Sequence, residues 1–86
     1  MPVVSRFFGI VIALYWEDHD PPHFHARYSG DEGMIDIRTG RLIRGSLPRR
    51  ALSLVDEWRQ IHIGELLANW ERARARQPLT YIDPLE

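Results

Sequence analysis

The chain has 86 residues, no cysteine and a formal net charge of −1. That length fits one domain, and the lack of cysteine excludes both a disulfide framework and a thiolate metal site. The near-balanced charge excludes a binder driven by a strongly basic surface, and no apolar run approaches the ~20 residues that span a bilayer.

Arg6 and the apolar stretch that follows it have the outline of a signal peptide, but there is no small-residue cleavage site and the stretch runs directly into Glu17 and Asp18. Residues 9–16 are β-branched and aromatic and are apolar on both faces, which predicts a central strand. Residues 17–22 are a charged loop that Pro21 and Pro22 stiffen. Residues 23–28 alternate: Phe24, Ala26 and Tyr28 point one way, and His23, His25 and Arg27 the other. Gly30, Asp31 and Gly33 supply hairpin turn chemistry. In the next strand Ile35 and Ile37 oppose Met34, Asp36 and Arg38, and a turn at Thr39 and Gly40 leads to a short strand over residues 41–44.

The apolar positions of these two strands must share a side, which restricts their pairing. A Gly30-Asp31 turn places His25 opposite Asp36 and His23 opposite Arg38. A turn over residues 30–33 places Arg27 opposite Asp36 and His25 opposite Arg38. Either register predicts a polar face of His23, His25, Arg27, Asp36 and Arg38.

Ser46 is a candidate N-cap before Leu47 and Pro48. Apolar residues at Ala51, Leu54, Val55, Trp58 and Ile61, then Leu66, Leu67, Trp70 and Ala73, keep a helical period. Gly64 predicts a kink or break over residues 62–65, and the helical region ends by Gln77 and Pro78. The tail, residues 79–86, is a short strand or packed coil. The expected fold is α+β: one domain over residues 1–86, with an antiparallel sheet of three to four strands packed against one long kinked helix or two C-terminal helices. Trp58 and Trp70 fall near one helical face and read as core, and His62 reads as a buried or capping histidine.

Residues 18–25 hold three of the four histidines and two carboxylates. A His-x-His pair on a strand puts two imidazoles on one face, a spacing that chelates one divalent ion. Asp20, His19 or Asp36 would then be the third ligand beside His23 and His25. A second chemistry needs no metal. His23 and His25 would act as general acid and base while Arg27 and Arg38 hold a phosphate, as in a small ribonuclease. A structural role, with the histidines bonding loop carboxylates, is the third reading. No cofactor is expected in the metal-free scheme.

All 11 basic residues are arginine, with local clusters at Arg41, Arg44, Arg49 and Arg50 and at Arg72, Arg74 and Arg76. Arginine suits bidentate phosphate or carboxylate contacts, so RNA is one candidate partner. A domain this small without disulfides is at home in a reducing compartment, so a cytoplasmic location without membrane contact is expected.

Three stretches together carry a resemblance: Ser5-Arg6-Phe7-Phe8-Gly9-Ile10-Val11-Ile12, Asp20-Pro21-Pro22-His23-Phe24-His25-Ala26-Arg27-Tyr28, and Leu47-Pro48-Arg49-Arg50-Ala51-Leu52 running on to Leu66-Leu67-Ala68-Asn69-Trp70-Glu71. The chain resembles the bacterial domain of unknown function 4160 family over nearly its whole length. The motif residues that carry over are His23, His25, Tyr28, Arg49, Arg50 and Trp70, to which the family assigns no roles. The resemblance implies a small cognate protein of the domain of unknown function 2442 family as partner, in a suspected toxin–antitoxin pair with this chain as the toxin half. A non-catalytic protein-binding module and a His-x-His metal-binding domain are the alternatives. Homo-oligomerisation is open.

Overall fold

The computed structural model describes residues 2–16 and 18–86. Glu17, expected in the charged loop, lies outside the described residues. Phe8 and Gly9 both take positive φ, 50° and 79°. Two successive left-handed residues make the tight hairpin turn whose twist matches its flanking strands. This turn folds the N-terminal apolar run back on itself, so that β1 (Val3–Phe7) pairs antiparallel with β2 (Ile10–Ala13). The expected strand over residues 9–16 is therefore the second half of a hairpin, and it ends at Ala13.

β3 (His23–Tyr28) has the expected bounds, and β4 (Asp31–Asp36) follows it. Tyr28 pairs with Asp31, so the connecting turn is Ser29-Gly30, with φ of 49° and 89°. The parity of the faces is as expected: Phe24 lies opposite Ile35 and Ala26 opposite Gly33. Both predicted registers are corrected, because His23 faces Asp36, His25 faces Met34 and Arg27 faces Glu32. The physical reason is the turn: Ser29 itself adopts the left-handed conformation, and Asp31 is released to become the first residue of β4.

β5 (Leu42–Gly45) completes a five-stranded meander in the order β1-β2-β3-β4-β5, against the three to four strands expected. Gly45, at φ 80°, passes so close to β4 that a Cβ there would lie 2.1 Å from the Glu32 carbonyl oxygen. The chain then enters α1 (Arg49–Ile61) directly after Pro48, without a side-chain cap. Ser46 does not serve as N-cap; its backbone N–H donates to the Glu32 carbonyl at 3.1 Å. α2 (Ile63–Arg74) begins after a break at His62, inside the expected interval. The α+β class holds, with two helices. No helix among the described residues is long and apolar enough to cross a membrane.

Trp58 of α1 is fully buried against Phe7 of β1 and Phe24 of β3, with ring centroids 5.3 and 5.9 Å apart. The helices thus close the face of the sheet that carries Phe24, Ala26 and Ile35; the opposite face is exposed at Arg6, Arg27, Glu32 and Arg44 and buried at His23 and His25. The tail packs as coil. Ile82 is buried and its N–H donates to the Val4 carbonyl at 2.7 Å, while the Trp58 indole donates to the Asp83 carbonyl at 2.8 Å. Asn69 grips Thr80 twice, donating to its carbonyl at 2.8 Å and accepting from its N–H at 2.9 Å.

That double contact gives a direct test of the strap. Asn69→Ala removes both hydrogen bonds to the backbone of exposed Thr80, each contributing about 0.5–1.5 kcal/mol. The expected result is a lower urea midpoint with an unchanged slope; an unaltered midpoint would show that the Asn69–Thr80 contact adds nothing to stability.

Candidate functional site

His23 and His25 are two apart on β3 and therefore project to one side, with ring centroids 5.2 Å apart. They lie on the side opposite Phe24 and Ala26, yet they are 3 % and 8 % exposed, because neighbouring groups close over them. Trp70 of α2 packs on the His23 ring at 5.1 Å, and Tyr15 meets the His25 ring edge-on at 4.2 Å.

The loop before β3 supplies the charge. Asp18 Oδ2 lies 2.8 Å from His23 Nε2 and 3.3 Å from His25 Nε2, while Oδ1 accepts the His19 N–H at 2.9 Å. The other nitrogen of each ring is also occupied. His23 Nδ1 donates to the Pro21 carbonyl at 2.8 Å, and His25 Nδ1 lies 3.1 Å from Glu32 Oε2. A carbonyl oxygen only accepts, so the tautomer of His23 is set by the loop: Nδ1 carries a proton. The turn at Pro21 and Pro22 places that carbonyl, and the Pro22 carbonyl accepts the Ile37 N–H at 3.0 Å, tying the loop to the end of β4.

Burial alone would raise the Asp18 carboxyl, but the His19 N–H, the hydrogen bond from His25 and the charge and hydrogen bond of His23 outweigh it and hold the carboxyl below its ordinary range. Tyr15 moves upward: burial, then the negative charges of Glu32 and Asp18, prevail over the opposing charge of Arg27. Its phenol stays protonated at neutral pH, so Tyr15 packs against His25 and does not serve as an anionic nucleophile.

Arg27 stands at the rim, with Nε 3.8 Å from Glu32 Oε1. The strand register extends this face. Arg6, Val11, Arg27 and Glu32 form one cross-strand row, and Ala13, His25, Met34 and Arg44 form the next. A groove of about 360 Å³ lined by His25, Glu32, Met34, Arg44 and Gly45 runs beside the His25 ring.

Of the residues expected at the site, His23, His25 and Arg27 come together. Asp36 and Arg38 serve elsewhere. The Asp36 carboxylate accepts the N–H groups of Arg38 and Thr39 at 2.8 and 3.0 Å, and the Arg38 carbonyl lies 3.3 Å from Arg59 Nη1. Asp20, expected as a metal ligand, is exposed and faces Arg74 at 3.4 Å. His19 is exposed and contributes only its backbone N–H. The cluster takes Asp18 in their place, and Glu32 and Tyr15 complete it. The signal for Asp18 was present, since it is the other carboxylate of the histidine-rich segment. Glu32 needed the turn to be placed, and Tyr15 needed β2 to end at Ala13.

A family model described as a domain of unknown function (DUF4160) matches residues 9–71. The chain belongs to the DUF4160 family. No curated protein and no solved structure matches the chain. The DUF4160 match contains the whole cluster. Of the motif residues, Trp70 covers His23, Tyr28 lies on the helix side, and Arg49 and Arg50 are exposed at the start of α1.

The two loop carboxylates should separate cleanly on substitution. Asp18→Asn removes a charge that two buried rings share and is expected to cost about 1–3 kcal/mol. Asp20→Asn breaks an exposed pair and is expected to stay within about 0.5 kcal/mol. Denaturant midpoints of the two variants check this, and equal losses would show that Asp18 is not the organising carboxylate.

Proposed function

We propose that this DUF4160 domain is the effector half of a bacterial toxin–antitoxin pair and acts on the phosphodiester backbone of RNA from the open face of its sheet. The observation that carries the reading is the placement of exposed Arg6, Arg27 and Arg44 on the same sheet face as His25, whose buried ring lines a groove together with Arg44. Guanidinium groups suit the non-bridging oxygens of a phosphate. His25 borders the groove, and an imidazole–carboxylate cluster there can relay the proton of an attacking 2′-hydroxyl and return one to the departing 5′-oxygen. His23, covered by Trp70 and not lining the groove, positions the cluster and does not touch substrate. Arg44 takes the clamp role that Arg38 was expected to share.

The partner in this reading is a small protein of the domain of unknown function 2442 family. A separate groove lined by Phe8, Tyr28, Pro48, Arg50 and Leu54 supports a protein contact at the start of α1, since it joins an exposed aromatic ring to two motif residues.

Induced expression in a bacterial host lacking the partner is expected to arrest growth and degrade RNA, and co-expression of the partner to relieve the arrest. His25→Ala and Arg44→Gln are expected to abolish it with the far-UV circular dichroism unchanged. Absence of arrest, or arrest that survives both substitutions, refutes the reading.

A further inference from the structure

We propose that Asp18, His23 and His25 form a binding site for one divalent transition-metal ion. Among the described residues these are the only histidine and acidic side chains that gather as a group of three, with one ligand atom from each lying within 4.8 Å of the others. Metal–nitrogen and metal–oxygen bonds of about 2.0–2.2 Å put two ligands of a tetrahedral ion about 3.3 Å apart. Of the Asp18 Oδ2 separations from the two Nε2 atoms, the one to His25, 3.3 Å, already equals that value, and the one to His23, 2.8 Å, is 0.5 Å short of it.

The outer contacts point the same way. Each of the three side chains has its far heteroatom tied down: His23 Nδ1 by the Pro21 carbonyl, His25 Nδ1 by Glu32, and Asp18 Oδ1 by the His19 N–H. Metal-ligating histidines are held in this manner, with the second ring nitrogen donating to a carbonyl or carboxylate so that the first offers its lone pair. With each Nδ1 donating outward, a neutral ring would turn its Nε2 lone pair toward the shared Asp18 oxygen, an arrangement that needs positive charge between them.

One divalent ion between the three ligand atoms supplies that charge with both rings neutral, and it balances the carboxylates of Asp18 and Glu32. Two imidazoles and one carboxylate select zinc, cobalt(II), nickel(II) or iron(II) over magnesium or calcium. The site is partly open on its Asp18 side, where that side chain is 22 % exposed, which leaves an approach for the ion and a position for a further ligand. The inference goes beyond the RNA reading and does not need it, because ion binding is measured without RNA.

The test uses untagged full-length protein stripped with chelator. Zinc titrated calorimetrically is expected to bind one to one, cobalt(II) to give visible d–d absorption, and the melting temperature to rise with either ion. Asp18→Asn and His25→Ala are expected to weaken zinc at least tenfold. Glu32→Gln, which loosens the His25 ring, should cost roughly 10–100-fold. Asp20→Asn is expected to leave affinity unchanged. Because loss of a buried group can unfold the chain, the wild-type protein gives a second measurement. On adding zinc, the Nε2 resonances of His23 and His25 should shift while both Nδ1 protons persist. No saturable binding by the wild-type protein overturns the inference. So does binding that Asp18→Asn and His25→Ala leave intact while the His23 and His25 resonances stay fixed. Ion binding without RNA cleavage would refute the RNA reading alone.

Discussion

The pairing of Tyr28 with Asp31 is the constraint on which the rest of the outer face depends. A strand pair can slide by two residues without exchanging its buried and exposed sides, so the hydrophobic pattern leaves several registers equivalent. The Ser29-Gly30 turn chooses among them. With that choice, Glu32 falls directly across from Arg27 and diagonally across from His25, within reach of both side chains. Met34, not a charged group, occupies the position opposite His25, and Arg44 comes in beyond it. In the register two residues on, Asp36 would stand opposite His25 and Arg38 opposite His23.

The acidic residues near the histidines differ in task because they differ in burial. Asp18 is drawn under the two rings and is bonded through both oxygens. Asp20, two positions on, lies in solvent, where an ion pair with Arg74 adds little. Asp36 faces His23 in register, yet its carboxylate caps the turn that follows β4, which Arg59 also holds by donating to the Ile37 carbonyl at 3.0 Å. Position along the chain, and even position across a ladder, does not determine which carboxylate a ring receives. The competing backbone donors do.

Much of the fold could be read from the residues, and the boundary of that legibility has physical causes. The alternation from His23 to Tyr28 gives a strand with the right bounds and the right sides, since period two is a strong signal. The interruption near Gly64 marks the helix break, although the residue that leaves the helical conformation is His62. β1 is hidden because Phe8 is a residue that seldom adopts positive φ, so nothing in Phe8-Gly9 advertises a turn inside an apolar run. The site was legible as a type, imidazoles with arginine on one strand face, but not as a set. Asp18 joins only after the loop has curled back through Pro21, and Glu32 only after the turn has fixed its row.

Trp70 covers His23, and its indole N–H is buried without a hydrogen bond among the described residues. Tilted ring packing at 5.1 Å therefore couples that chromophore to the imidazole beneath it. The other two tryptophans sit in different surroundings, Trp58 hydrogen-bonded in the core beside the His62 ring at 5.5 Å and Trp16 52 % exposed. The domain consequently carries an intrinsic fluorophore directly over its polar centre. Its emission should be quenched or restored as positive charge beneath it arrives and departs, with no label attached.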